Sequence, residues 1–111
     1  MSQVLLMIGT RKGLFIAFSD QLRQQWRLEG PWFKGAEIHY VTAVADSSAR
    51  DGVTIYAAGA SAWWGPGIQI SRDLGATWEE GESVRFHQDR GLSVERIWIL
   101  KSAGDRLFAG V

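Results

Sequence analysis

The sequence predicts an all-β fold built from repeated antiparallel units, and three observations predict it. First, Leu5-Leu6-Met7-Ile8-Gly9, Ile55-Tyr56-Ala57-Ala58-Gly59 and Leu107-Phe108-Ala109-Gly110 repeat one apolar-to-glycine pattern, with closing glycines 50 and 51 positions apart. That period is the length expected of propeller blades, each a four-stranded sheet. Second, thirteen glycines and six tryptophans against two prolines suit many short strands joined by glycine turns. Third, Ser71-Arg72-Asp73-Leu74-Gly75-Ala76-Thr77-Trp78 spells S-x-D-x-G-x-T-W directly after the apolar run Ile68-Gln69-Ile70. This is the pattern of a tight hairpin turn.

The elements follow in order, with strands named a to d from the centre of a blade disc outward. The first unit, residues 1–35, is an incomplete blade: strand b at about 4–9, closed by Gly9 and Thr10, strand c at 14–18 and strand d at 26–29. The second, 36–92, holds all four strands, at about 38–45, 53–59, 67–71 and 77–79, the last extending toward 84–87. Residues 46–52 are the polar a–b turn, and 81–92 form a mostly polar connection with freedom to move. The third unit, 93–111, supplies strand a at 95–101 and strand b at 106–111. Gly13-Leu14-Phe15-Ile16-Ala17-Phe18-Ser19 aligns with Gly65-Pro66-Gly67-Ile68-Gln69-Ile70-Ser71, which sets Trp26 opposite Trp78. Residues 19–26 are therefore a decayed copy of the turn motif, with Gln21 in place of Asp73 and Arg23 in place of Gly75. No ten-residue window shows a helical period.

Each fixed position of the turn has a mechanical role. Asp73 can accept hydrogen bonds from backbone amides of its own turn. Gly75 supplies a positive φ that a Cβ would resist. Thr77 and Trp78 restart the pleat, and Trp78 adds apolar area. Ser71, Asp73, Gly75, Thr77 and Trp78 are thus read as structural.

Composition narrows the function classes. Charges cancel, which removes the electrostatic case for nucleic acid or an anionic membrane. Without cysteine there are neither disulfides nor thiolate metal sites, as in a reducing compartment. Val4-Leu5-Leu6-Met7-Ile8 is too short for a membrane span or a signal core. The expectation is a soluble, cytoplasmic chain. His39 and His87 lack metal-ligand spacing, and Gly9-Thr10-Arg11-Lys12-Gly13 lacks the spacing of a phosphate loop, so neither a metal nor a cofactor is expected.

Two and a fraction blades cannot close a ring. A blade buries its apolar faces only against neighbours, so at least two faces would lie open. At roughly 25 cal/mol per Å² over several hundred Å², each open face forfeits roughly ten kcal/mol. The expected partners are therefore the remaining blades of a longer propeller or copies of the chain itself.

The b–c and d–a connections of such a blade emerge on one face of the disc, and the a–b and c–d turns on the other. The first face collects the ligand-binding candidates Arg11, Lys12, His39, Trp63, Trp64, Glu95 and Arg96, with Glu37 and Arg90 beside them. Adjacent tryptophans stack on sugar rings and guanidinium forks pair with carboxylates, which suits a carbohydrate or carboxylate-bearing ligand. The plainer alternatives are that Trp63 and Trp64 fill the gap between blades, that His39 is a hydrogen-bonded structural histidine, that Glu37, Glu95 and Arg96 form ion pairs fixing loops, and that Arg11 and Lys12 are a solvated turn.

Ile8-Gly9-Thr10-Arg11-Lys12-Gly13-Leu14-Phe15, Ser61-Ala62-Trp63-Trp64-Gly65-Pro66, Ser93-Val94-Glu95-Arg96-Ile97-Trp98 and Phe108-Ala109-Gly110-Val111 together resemble the N-terminal part of bacterial BNR/Asp-box propeller proteins of the sialidase-like class. The resemblance covers essentially the whole chain and implies further blades beyond it. It implies one of two functions: a binding module without catalysis by this stretch, or part of an exo-α-sialidase-type glycoside hydrolase. True sialidases resemble one another in a Phe-Arg-Ile-Pro segment, which does not occur here, so no catalytic residue is carried over.

Overall fold

The computed structural model describes residues 3–61, 65–81, 97, 99–103 and 106–110. Nine strands run through them: β1 (Val4–Thr10), β2 (Gly13–Ser19), β3 (Trp26–Trp32), β4 (Glu37–Ala45), β5 (Val53–Ser61), β6 (Gly65–Ser71), β7 (Glu79–Glu80), β8 (Ile99–Ala103) and β9 (Arg106–Gly110). They form three antiparallel sheets in the orders β1-β2-β3, β4-β5-β6-β7 and β8-β9, with no helix among the described residues. Strands paired in each sheet are consecutive in the chain, so the sheets are meanders of short connections.

The second sheet is covered on both faces. Side chains alternate along a strand, so Ile55 and Ala57 of β5 point one way while Tyr56 and Ala58 point the other. Ile55 and Ala57 are fully buried with Leu14, Ile16 and Phe18 of the first sheet. Ala58, with Tyr56 and Ile68 beside it, is buried against Leu100 and Ile97. Double burial is why β5 reads as a nearly continuous apolar run and not as an alternation. β4 makes the lateral contacts, packing against β1 on one side and β8 on the other.

At Gly9 the first two sheets come into backbone contact. A Cβ there would stand 2.7 Å from the Ile38 carbonyl oxygen, closer than a side chain can approach. On the outer faces of the first and third sheets several large apolar side chains are exposed among the described residues. Leu6 and Leu28 are 53% and 61% exposed on the first, and Ile99 and Phe108 are 48% and 54% exposed on the third.

Several elements differ from the sequence expectation. β3 continues to Trp32 because Gly30 and Pro31, joined by a cis peptide, form a bulge between the pairs Ile16–Glu29 and Leu14–Trp32. β7 starts at Glu79, later than predicted, since the Thr77 amide and hydroxyl are engaged by Asp73 and cannot join the ladder. β8 begins at Ile99, with 95, 96 and 98 outside the described residues, as are 84–87 and the 82–92 connection. The glycine-based repeat is also displaced by one residue. It matches Leu5 to Ile55, yet Leu5 faces the following sheet and Ile55 the preceding one. Matching by face pairs Leu5 with Tyr56 and Tyr56 with Phe108, 51 and 52 positions apart. One residue of slip turns every side chain of a strand over.

Gly9→Val is expected to force the sheets apart at a cost of about 2 kcal/mol, lowering the thermal midpoint by roughly 8–16 °C. An unchanged midpoint would mean that the backbones do not meet there.

Candidate functional site

The β1–β2 turn is locked by its own side chain. Thr10 Oγ1 donates to the Gly13 carbonyl at 2.8 Å and accepts from the Lys12 amide at 3.1 Å. The Gly35 amide then donates to the Lys12 carbonyl at 3.3 Å, tying this turn to the segment that leads into β4. Arg11 is thereby brought to Glu37, the first residue of β4. Its Nε lies 3.4 Å from Glu37 Oε1, and His39 Nε2 lies 3.6 Å from Glu37 Oε2. The Arg11 side chain is 89% exposed, Glu37 31% and His39 12%. A guanidinium so exposed keeps donors directed at solvent, where a planar anion can be held by two parallel hydrogen bonds. Lys12 is exposed beside it.

His39 owes its position to a β-bulge. Ile38 pairs with Gly59 and Tyr40 with Ala58, so the register shifts at His39, the extra residue of β4. The structure thus unites Arg11, Glu37 and His39, contributed by two sheets. The other candidates, Trp63, Trp64, Arg90, Glu95 and Arg96, lie outside the described residues. The described ends of β5 and β6 pair as Ser61 with Gly65, at the same end of the second sheet as Glu37, which pairs with Ala60.

The opposite end of that sheet is built from two acid-centred turns. In the hairpin motif the Ser71 hydroxyl donates to Asp73 Oδ1 at 2.9 Å and accepts from the Gly75 amide at 2.8 Å. Asp73 accepts from the Thr77 amide at 2.8 Å and the Thr77 hydroxyl at 2.5 Å. Leu74 and Gly75 both have positive φ, 57° and 93°. Gly75 has a second reason to lack a side chain: a Cβ would lie 3.2 Å from both Ile16 and Trp32 of the first sheet. The Trp78 indole donates to the Gly75 carbonyl at 3.1 Å and meets Phe33 edge-on with ring centroids 5.0 Å apart. Arg72 pairs with Glu79 across the hairpin.

In the β4–β5 turn, Asp46 accepts from the Ser48 hydroxyl and amide and, at 2.7 Å, from the Thr54 hydroxyl. These bonds, the Ser48 hydroxyl foremost, hold Asp46 at about 2, below its ordinary 3.8. Asp73 is lowered for the same reason, chiefly by the Thr77 hydroxyl. Arg72 adds to the effect at Asp46 and Arg50 at Asp73, so each turn feels the other's cation. Sequence reading identified the acid centre at Asp73 and missed the one at Asp46, whose signal was Asp46 and Ser48 at the start of a run that ends in Gly52.

The decayed motif keeps part of the same geometry. Arg23 has φ 57° where Gly75 stands in the intact copy, and the Trp26 indole donates to the Arg23 carbonyl at 3.2 Å. Beside it is an open cavity of about 690 Å³ lined by residues including Phe18, Asp20, Leu22, Trp26 and Arg27, with Arg27 4.7 Å over the Phe18 ring. This cavity does not coincide with the Arg11–Glu37–His39 cluster. Its lining is mixed, with Gln3, Ser19, Gln21 and Gln25 beside the apolar side chains, and no sequence motif marked it beyond the match of Trp26 to Trp78. Among the described residues no group of acidic, histidine or cysteine side chains forms a metal-binding set.

A carboxylate whose folded pKa is depressed stabilises the fold above its unfolded value, near 3.9. That contribution is lost as pH falls through the folded value. Stability against urea is expected to drop between about pH 4 and about pH 2, and Asp46→Asn and Asp73→Asn should each flatten the drop. A profile identical in both variants would remove the two turns from the acid response. No protein-family model matches the chain, and a search of curated proteins finds no match.

Proposed function

We propose that the three sheets are blades of an Asp-box β-propeller of the BNR type. In this reading they form a binding module that takes a carboxylate-bearing carbohydrate on the Arg11–Glu37–His39 end without catalysing a reaction. The blade reading is supported by consecutive antiparallel strands in each sheet, by lateral packing of β4 on β1 and β8, and by an Asp-box hairpin that leans on the preceding sheet. The further blades of a longer propeller, or copies of the chain, belong to the same proposal, as does a reducing cytoplasmic setting consistent with the lack of cysteine.

One observation carries the binding assignment. Arg11 and Glu37 come from different sheets and meet at the end remote from the acid-centred turns, with the guanidinium almost wholly exposed. The pair itself contributes little stability at such exposure, so its placement is better explained by a ligand than by the fold. A retaining glycosidase needs two carboxyl groups about 5 Å apart. Glu37 instead faces Arg11 with one oxygen and His39 with the other, which favours binding over hydrolysis.

Titration of the isotope-labelled chain with a sugar acid such as glucuronate or N-acetylneuraminate, followed by NMR, is expected to shift the amides of residues 10–13 and 37–39. Arg11→Ala should weaken binding at least tenfold, the loss of one bidentate charge-assisted contact. Shifts confined to the Asp73 turn would overturn the assignment, and hydrolysis of a sialoside that disappears in Arg11→Ala would replace binding by catalysis.

A further inference from the structure

We infer that the Arg11 end takes up its carboxylate ligand together with a proton, and that His39 is the residue that holds this proton. Such proton-linked uptake rests on the binding role proposed for Arg11 and adds its regulation. It follows from one carboxylate being divided between a fixed cation and a titratable one.

Glu37 turns a different oxygen to each neighbour, Oε1 at 3.4 Å from Arg11 Nε and Oε2 at 3.6 Å from His39 Nε2. The three side chains are layered by depth, with His39 innermost, Glu37 between and Arg11 outermost. A ligand arriving from solvent meets the guanidinium, so His39 is a positioning residue that acts on it through Glu37. Arginine is always charged in proteins, whereas histidine is the side chain whose charge ordinarily changes between about pH 5 and pH 8. With the imidazole neutral, Glu37 cancels the charge of Arg11 and the cluster has none to offer. With the imidazole protonated, the same carboxylate faces two cations, and the cluster is left net positive. More of the Arg11 charge is then available to an incoming anion, which strengthens the charge-assisted hydrogen bond between them. A sugar acid stays ionised throughout, since carboxyl groups titrate at about pH 4 and below.

The elements packed on β4 supply no competing acid among the described residues. β1 and β2 contain no titratable side chain, and the turn that joins them adds Arg11 and the exposed Lys12. β5 contributes Tyr56, which with Tyr40 packs toward the third sheet, and β8 contributes the exposed Lys101. Lysine and tyrosine ordinarily titrate well above this range, so the change of charge falls to the imidazole.

Calorimetric titration of the chain with N-acetylneuraminate at about pH 8 and about pH 5.5 tests this, with NMR of the imidazoles as a readout that needs no ligand. Binding is expected to be about fivefold tighter at the lower pH, an ordinary size for coupling between two sites. His39→Gln should abolish the dependence on pH. In the free chain, Arg11→Ala should move the His39 imidazole titration to higher pH, because the other claimant on Glu37 is gone. Arg11 is almost wholly exposed, so its loss spares the core. The chain has two histidines, and the signal missing from His39→Gln identifies the one concerned. Equal binding at both pH values, a pH dependence that persists in His39→Gln, or an imidazole titration unmoved by Arg11→Ala overturns the proton uptake and leaves the binding role of Arg11 standing. Absence of binding at both pH values overturns that role, and the proton uptake with it.

Discussion

The second sheet cannot exist alone. Ile55 and Ala57 on one face and Ala58 on the other are all fully buried, and each face is covered by a different sheet. A lone sheet with two apolar faces would leave both in water, at a loss comparable with the stability of a small domain. The contact at Gly9, the missing Cβ of Gly75 and the edge-on packing of Trp78 on Phe33 all serve this side-by-side association. Stability is therefore a property of neighbouring sheets, each covering a face of the next.

The two ends of the stack are built by different chemistry. At the end holding Asp46 and Asp73, carboxylates are saturated by hydroxyl and amide donors from their own turns. Such groups are turned inward on the backbone and offer little to a ligand. At the other end the charged groups reach across the junction between two sheets, and the guanidinium remains mostly in solvent. The self-saturated carboxylates and the exposed charged groups are thus separated along the strand axis.

Much of this was legible in the sequence wherever a residue acts locally. The S-x-D-x-G-x-T-W run specified its own turn, because every bond in it closes within eight residues. The correspondence of Trp26 with Trp78 survived the loss of Asp and Gly from the first copy, since the indole-to-carbonyl bond needs neither side chain. What depends on partners distant in sequence was not legible. Gly30 and Pro31 look like strand breakers, yet they form a bulge that carries β3 on to Trp32. The faces of the repeated strands could not be read from their glycines, because Gly9 and Gly59 each mark a close approach to a backbone carbonyl and not a fixed side of the strand. That Arg11 and Glu37 share one face was expected from the predicted layout of connections, while the reach of the side chains across the sheet junction is a matter of tertiary placement.

The extra residue in β4 has an implication for what that strand was shaped to do. Were position 39 skipped, Ile38 would still oppose Gly59 and Tyr40 would still oppose Ala58, and the ladder would become regular. Ile38 and Val41 would keep the first sheet, and Tyr40 would keep the third. No apolar side chain needs His39 in order to find its side. The chain is one residue longer at this point than its core requires, and the surplus falls at the polar end, 3.6 Å from Glu37. The irregularity in β4 therefore leaves its two core faces as they are and adds an imidazole at the polar end of the strand.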